Sequence, residues 1–292
     1  MNSVENTYHP FDLKNCKVKA NPSIIWDDFK NVSSQTYIPP LRQVNDVHSG
    51  RYYVLSDSVS DSQNPVSEGL SGSFHGTGKL FSVTNILGHN PKKQKALAEW
   101  RQRVGEQEAK KISSFAANRG TALHNLIEKF LSNDIIDLDE DVMPHQKPMF
   151  MTAIRSLESH IKEITCLEQR LFSFNLGVAG TVDGICQWDN FRAVLDFKTS
   201  RKLKKKEWIE DYFLQTTAYS LMWEELVGER IDKLVVFILV DDQDEPQIFI
   251  DSREKYIPIL LQRIYRFYDD KKISEFPKIF VDIPQKLGYN GF

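Results

Sequence analysis

Asp183, Asp196 and Lys198 sit on two neighbouring apolar runs, Gly180-Thr181-Val182-Asp183-Gly184-Ile185 and Leu195-Asp196-Phe197-Lys198-Thr199. In an extended strand, residues i and i+2 leave the same face. Asp196 and Lys198 therefore point together into one site, and Phe197 points away into a core. If the two runs pair as a hairpin, Asp183 joins them. Two carboxylates can hold a hard divalent cation, and an ammonium beside them can stabilise a developing anion. That is the minimal equipment for metal-assisted cleavage of a phosphodiester.

The elements that must position these residues can be read around them. Three strand-like runs follow one another, Cys166 to Asn175, Val178 to Trp188 and Arg192 to Lys198. A helix is expected before them, from about Met149 to Ile164. The basic segment Arg201 to Lys206 leads into another helix ending near Val227. The unbroken apolar run Lys233 to Val240 reads as a buried strand. Pro246 to Ile250 is short, and Ser252 to Tyr268 has the pattern of an amphipathic helix. The order predicts an α/β fold with a central mixed β-sheet flanked by helices.

Upstream, Lys92 to Lys111 reads as one helix, and Ser113 or Ser114 is expected to open the next, which carries His124. Ser82 or Thr84 can cap a short helix. Arg51-Tyr52-Tyr53-Val54-Leu55 and Lys79-Leu80-Phe81-Ser82-Val83 are expected as the two strands of a hairpin. Between them, residues 56–78 are rich in Ser, Gly, Asp and Asn and read as a flexible loop. Residues 1–50 read as irregular, and 133–148 as an acidic loop. The division expected is an N-terminal extension with a helical wall over 1–110 and a core over 111–292.

At 292 residues the chain can bury a full core. Its 41% hydrophobic and 26% charged residues describe an ordinary soluble protein, and no apolar run approaches a membrane span. The formal net charge of −3 weighs mildly against a nucleic-acid partner, but a local groove, not the overall balance, binds phosphate. Cys16, Cys166 and Cys186 are widely spaced and form neither a disulfide framework nor a zinc pattern.

The chain resembles the PD-(D/E)xK nuclease superfamily, and within it the RecB-like branch that includes mitochondrial genome-maintenance and phage exonucleases. Gly-Thr-Val-Asp-Gly (180–184) is similar to that branch's acidic motif, and Asp-Phe-Lys-Thr (196–199) to its D/E-x-K motif. Arg119-Gly120-Thr121-Ala122-Leu123-His124 lies upstream and Gln215-Thr216-Thr217-Ala218-Tyr219 downstream, in the family's order. The resemblance runs from roughly Ser82 to Glu225. It implies a restriction-endonuclease-like core with an N-terminal extension. The function it implies is a divalent-metal-dependent DNA exonuclease acting on single strands with free ends and leaving 5′-phosphates. One or two Mg2+ or Mn2+ ions are implied. An iron–sulfur cluster, which some relatives carry on four cysteines, is not expected from three.

By the same resemblance Asp183, Asp196 and Lys198 are catalytic, and His124, Asp183, Asp196, the Phe197 carbonyl and Glu168 are metal ligands. Gln215, Tyr219, Thr199, Ser200, Arg119, Lys202 and Lys204 are expected at the substrate. Plainer readings stand beside several of these. Glu168 is also readable as an edge-strand charge, Gln215 and Tyr219 as a surface and a core residue one helical turn apart. The run Arg201 to Lys206 is also readable as a solvated face. Trp100 and Phe115, interleaved with basic residues, are either packed or available for base stacking.

Two other functions fit parts of this pattern. One is a resection exonuclease for double-strand ends, of the lambda exonuclease type. The other is a non-catalytic DNA-binding protein on a nuclease fold. DNA is the expected partner, with replication or recombination proteins as further partners, no membrane, and a monomeric chain. The N-terminus has neither a secretory nor a mitochondrial signal pattern, so a cytoplasmic location in a bacterial or phage-infected cell is expected.

Overall fold

The computed structural model describes residues 80–273 and, before them, five strands. These are β1 (Phe11–Asp12), β2 (Lys17–Val18), β3 (Ile25–Trp26), β4 (Leu41–Asp46) and β5 (Gly50–Leu55). The expected flexible loop at 56–78 lies outside the described residues. From residue 80 the order is β6 (Leu80–Ser82), α1 (Val83–Gly88), α2 (Pro91–Val104), α3 (Glu106–Leu131), β7 (Ile136–Asp137) and α4 (Lys147–His160). There follow β8 (Ile161–Ser173), β9 (Val178–Trp188), β10 (Phe191–Ser200), α5 (Glu210–Val227), β11 (Lys233–Val240), β12 (Gln247–Ser252) and α6 (Ile257–Asp270).

The chain is α/β, with a central mixed sheet flanked by helices. The sheet runs β12-β11-β10-β9-β6-β5-β4, with β8 on β9 and β3 on β8. β9 and β10 form the expected antiparallel hairpin, from Phe191 opposite Trp188 to Leu195 opposite Gly184. β10 and β11 are parallel, joined by the crossover helix α5. That explains the unbroken apolar run of β11, which is covered on both faces. β5 and β6 pair antiparallel through Tyr52–Phe81 and Tyr53–Leu80, as the sequence led one to expect. Tyr53 and Leu80 are buried together with Phe172 and Ala179 of the central strands.

Two layers of helices cover the sheet. On one face Leu123 and Ile127 of α3 and Phe150, Ile154 and Leu157 of α4 pack on Trp188, Leu195, Phe197 and Phe237. On the other, Phe213 and Trp223 of α5 and Leu260 and Phe267 of α6 pack on Val194, Val236 and Ile238. α5 is apolar or small nearly all round, and Thr216, Thr217, Ser220 and Met222 are buried with its aromatics. Such a helix belongs in an interior. Its hydroxyls bond inward: Thr217 donates to the Phe213 carbonyl at 2.6 Å, and Ser220 to the Ile231 carbonyl.

Several local expectations need correction. The helix expected over Lys92 to Lys111 is broken at Gly105, which takes φ +88° and ends α2 on the Arg101 carbonyl. Ser113 and Ser114 cap nothing, since α3 runs through them from Glu106. The helix expected to reach Ile164 stops at His160, and β8 begins at Ile161 instead of Cys166. Helix α6 begins at Ile257, after a single 3-10 turn at Arg253–Lys255. Within the stretch expected to be irregular, β4 pairs with β5 over its whole length. Among the described residues no helix is long and apolar enough to cross a membrane.

Candidate active site

The site lies where two strands part. The β9–β10 ladder ends at Leu195 opposite Gly184, and β6 takes up the same edge of β9 further on, at Val178 and Ala179. Asp196 and Asp183 are the first residues beyond the last pair. With no ladder acceptor on that side, the Phe197 N–H donates to the Asp183 Oδ2 at 2.7 Å. A buried carboxylate thus stands in for a main-chain carbonyl, and the orphaned backbone donor is satisfied.

Asp196 and Lys198 project together, as the alternation requires. Lys198 Nζ donates to Asp196 Oδ1 at 2.6 Å and lies 5.3 Å over the Tyr212 ring. Asp196 is 0% exposed, and its other oxygen, Oδ2, has no hydrogen-bond partner among the described residues. Phe197 turns the other way, its ring against His124 and Phe237.

His124 comes from α3, one turn beyond Gly120. Its Nδ1 lies 3.7 Å from Asp183 Oδ2. Glu168 approaches from β8 with φ +47°, a left-handed conformation unusual for a glutamate in a strand. Residues held this way tend to be held for their geometry. One donor atom each from His124, Glu168 and Asp183 fall within 4.8 Å of one another.

The electrostatics of this cluster are those of acids without enough counter-charge. Burial pushes the Asp196 carboxyl up to about 6 against the pull of Lys198, with Asp183 adding to the rise. Glu168 is pushed up to about 7 by desolvation and by the neighbouring Asp183 and Glu128. Asp183 is raised by its burial as well. His124 is lowered by burial and by Lys198, which favours the neutral imidazole a metal ion needs. Lys198 is raised, since Asp196 and Asp183 outweigh its desolvation, and it stays an ammonium.

The residues fit a divalent cation. Two carboxylates and a neutral imidazole converge, and beside them the buried Oδ2 of Asp196 has no hydrogen-bond partner among the described residues. A cation would offset what now destabilises all three acids. Oxygen donors with one imidazole suit magnesium or manganese. Asp196, expected as a ligand, is outside the set of three that converges. Glu168, readable from the sequence as an edge charge, is inside it.

His124, Glu168, Asp183 and Lys198 line a cleft of about 460 Å3 together with Thr121, Gly180, Gln215 and Tyr219. Gln215 Nε2 donates to the Tyr219 phenol oxygen at 3.1 Å, one turn apart on α5. The Tyr219 ring lies on Gly180 so closely that a Cβ there would sit 2.7 Å from Cε1. This is why glycine begins the acidic motif.

The remaining expected substrate residues are arranged less uniformly. Thr199 passes Gly120 of α3, with Oγ1 3.6 Å from where a Cβ would be. Ser200 donates to the Lys202 carbonyl at 2.6 Å and so builds a turn. Arg119 Nη1 grips both oxygens of Asp241 at 2.6 Å, tying α3 to the end of β11. Lys202 is exposed, and the backbone of Lys204 is paired with Gln247. Arg51 and Tyr53 line the cleft although nothing in their own sequence marked them for it. The sheet order β9-β6-β5 brings them there although Glu168 and Asp183 lie more than a hundred residues further along the chain.

No family model matches the chain. Human mitochondrial genome maintenance exonuclease 1 is 27% identical over 149 residues, a stretch covering 47% of this chain and 42% of that protein. The chain thus spans less than half the length of this relative. Among solved structures, that of SSO0001 is matched with a TM-score of 0.37 at 17% identity, over 75% of this chain and 92% of that one.

Proposed function

We propose that the protein is a divalent-metal-dependent DNA exonuclease of the PD-(D/E)xK superfamily, RecB-like branch, on a restriction-endonuclease-like core. The observation that carries this reading is the convergence of His124, Glu168 and Asp183 beside the buried Asp196–Lys198 pair at the strand fork. The similarity to an exonuclease supports it.

In this reading His124, Glu168 and Asp183 hold Mg2+ or Mn2+, with Asp196 completing the negative wall behind them and the Phe197 carbonyl beside it. The bound ion would supply Lewis-acid charge on the phosphate and a more acidic water. Lys198 is the chain's own contribution to the reacting phosphate: a fixed ammonium, aimed by Asp196, that stabilises the added negative charge. It also accepts a hydrogen bond from no one, so it can only orient the attacking water by donating to its oxygen. Gln215 and Tyr219 fix the wall opposite Gly180, and Tyr219 stays a neutral phenol because burial raises it well above its ordinary value. The substrate is single-stranded DNA with a free end, cleaved to leave 5′-phosphates. Thr199, Ser200, Arg119, Lys202 and Lys204 border the path of the strand.

The test is digestion of end-labelled linear single strands, linear duplex and circular single strands, with Mg2+, Mn2+ or EDTA, beside Lys198→Ala. Metal-dependent loss of linear single strands, with circles spared and the variant inactive, is expected. Faster loss of duplex ends would instead favour the resection reading. DNA bound but never cut, with any metal, would leave a non-catalytic DNA-binding protein.

A further inference from the structure

Helix α2 and the first half of α3 are largely exposed. α2 has no buried residue, and α3 buries only Ala109 before Leu123. Within that half of α3, Phe115 is 50% exposed. A half-exposed ring is ordinary by itself, so what surrounds it decides what it can do.

The ring is not alone. His145, itself exposed, lies nearly parallel to it, with centroids 6.4 Å apart and planes at 28°. The Arg201 guanidinium stands 6.0 Å from its centroid. These two groups come from different segments, the loop between β7 and α4 and the turn after β10. An aromatic ring, an imidazole and a cation meeting on an open surface offer π-faces and positive charge together.

The position connects this cluster to the cleft. The end of β10 and the middle of α3 run side by side, Thr199 at Gly120 and then Arg201 at Phe115. Along α3, Phe115 precedes His124 by about 14 Å at the helical rise. A strand leaving the metal-binding residues along this seam reaches the ring with its phosphates near Arg201.

We propose that Phe115, with His145 and Arg201, is a nucleobase-stacking site that holds a single strand beyond the cleft. It rests on the nuclease reading above. Every base has a π-face, so the site takes any base, and it distinguishes a strand with bases from one without them. Arg201 supplies the charge that a phosphate or an electron-rich ring would meet.

The experiment measures binding of fluorescein-labelled oligothymidylate and of an abasic oligonucleotide of equal length, by anisotropy in EDTA. The full chain is compared with Phe115→Leu, which keeps apolar bulk without a ring, and Phe115→Tyr, which keeps the ring. The expected result is a wild-type preference for the thymidylate strand of about 5- to 100-fold that Phe115→Leu loses and Phe115→Tyr keeps. Abasic binding should be the same in all three. Unchanged preference in Phe115→Leu would overturn the stacking site and leave the nuclease reading intact. Failure of the wild type to bind either strand would overturn both.

Discussion

Phe197 gives its backbone N–H to the Asp183 carboxylate at 2.7 Å, fastening the residue between Asp196 and Lys198 to the acid of the neighbouring strand. The contact lies just past the point where the β9–β10 ladder ends. One carboxylate thus does two jobs: it holds the fork in shape and faces His124 and Glu168.

Asn and Ala at position 183 separate those jobs. Both remove the charge, but only Asn keeps an oxygen for the Phe197 N–H. Asp183→Ala should therefore be less stable than Asp183→Asn by about 1–3 kcal/mol, the cost of a buried donor left unmet. Both should bind Mn2+ about tenfold or more weakly than the native chain. Urea unfolding and calorimetric titration check the two parts. Equal stability of the variants would mean that the N–H finds another partner.

Gly180 and Tyr219 should be coupled. Alanine at 180 puts a Cβ 2.7 Å from the Tyr219 ring, which Gln215 and the surrounding core hold in place. Gly180→Ala should cost about 1–3 kcal/mol, as overpacking does. Tyr219→Leu removes the obstructing ring atoms, so the double variant should be more stable than the sum of the single losses predicts. Tyr219→Phe keeps Cε1 and should give no such relief. Strict additivity in a thermal-unfolding cycle would contradict the contact.

Asp251 provides a pH dependence away from the site. Partial burial would raise its carboxyl, but hydrogen bonds from Lys206, Tyr256, the Ser252 N–H and Lys255 more than offset this and hold it well below its ordinary range. Lys206 belongs to the basic segment and lies 2.9 Å from it. A carboxyl depressed in the folded state adds stability that is fully present above its unfolded value, about 3.9. That stability fades as pH falls through the folded value. Asp251→Asn should thus be less stable than the native chain by about 1 kcal/mol at pH 7, since these contacts are partly open to solvent. The gap should narrow steadily below about pH 4. A gap in urea midpoints that is the same at pH 7 and pH 2.5 would rule out the charge as its source.

The strand pattern around Asp183 and Asp196 was legible because alternation and the short turn leave one register for the hairpin. The i, i+2 pairing of Asp196 and Lys198 followed from strand geometry alone. The break at Gly105 was signalled mainly by the glycine, inside a stretch whose other residues, Trp100 and Val104 apart, all favour helix. Nothing local separates Ser113 and Ser114 from true caps, since both lie in an exposed part of α3. Arg51 and Tyr53 reach the cleft through strand order, which periodicity does not encode. The left-handed turn at Glu168 is likewise invisible in a residue type that rarely adopts it.

The cysteines should be chemically silent in the native fold. Cys166 and Cys186 are buried on adjacent strands, and desolvation pushes both thiols up to about 12. At pH 8 roughly one in ten thousand is then a thiolate, and only the thiolate attacks an alkylating reagent. Cys16 lies outside the described residues, so the test uses Cys16→Ser. Iodoacetamide at pH 8 should leave this native protein unmodified and add two groups in denaturing urea, read by mass. Modification of either cysteine in the native state at the rate of a free thiol would mean that the β8–β9 pair opens. That opening would also pull Glu168 away from Asp183, so the same labelling in the presence of Mn2+ should be no faster, and slower if the ion ties the two strands together.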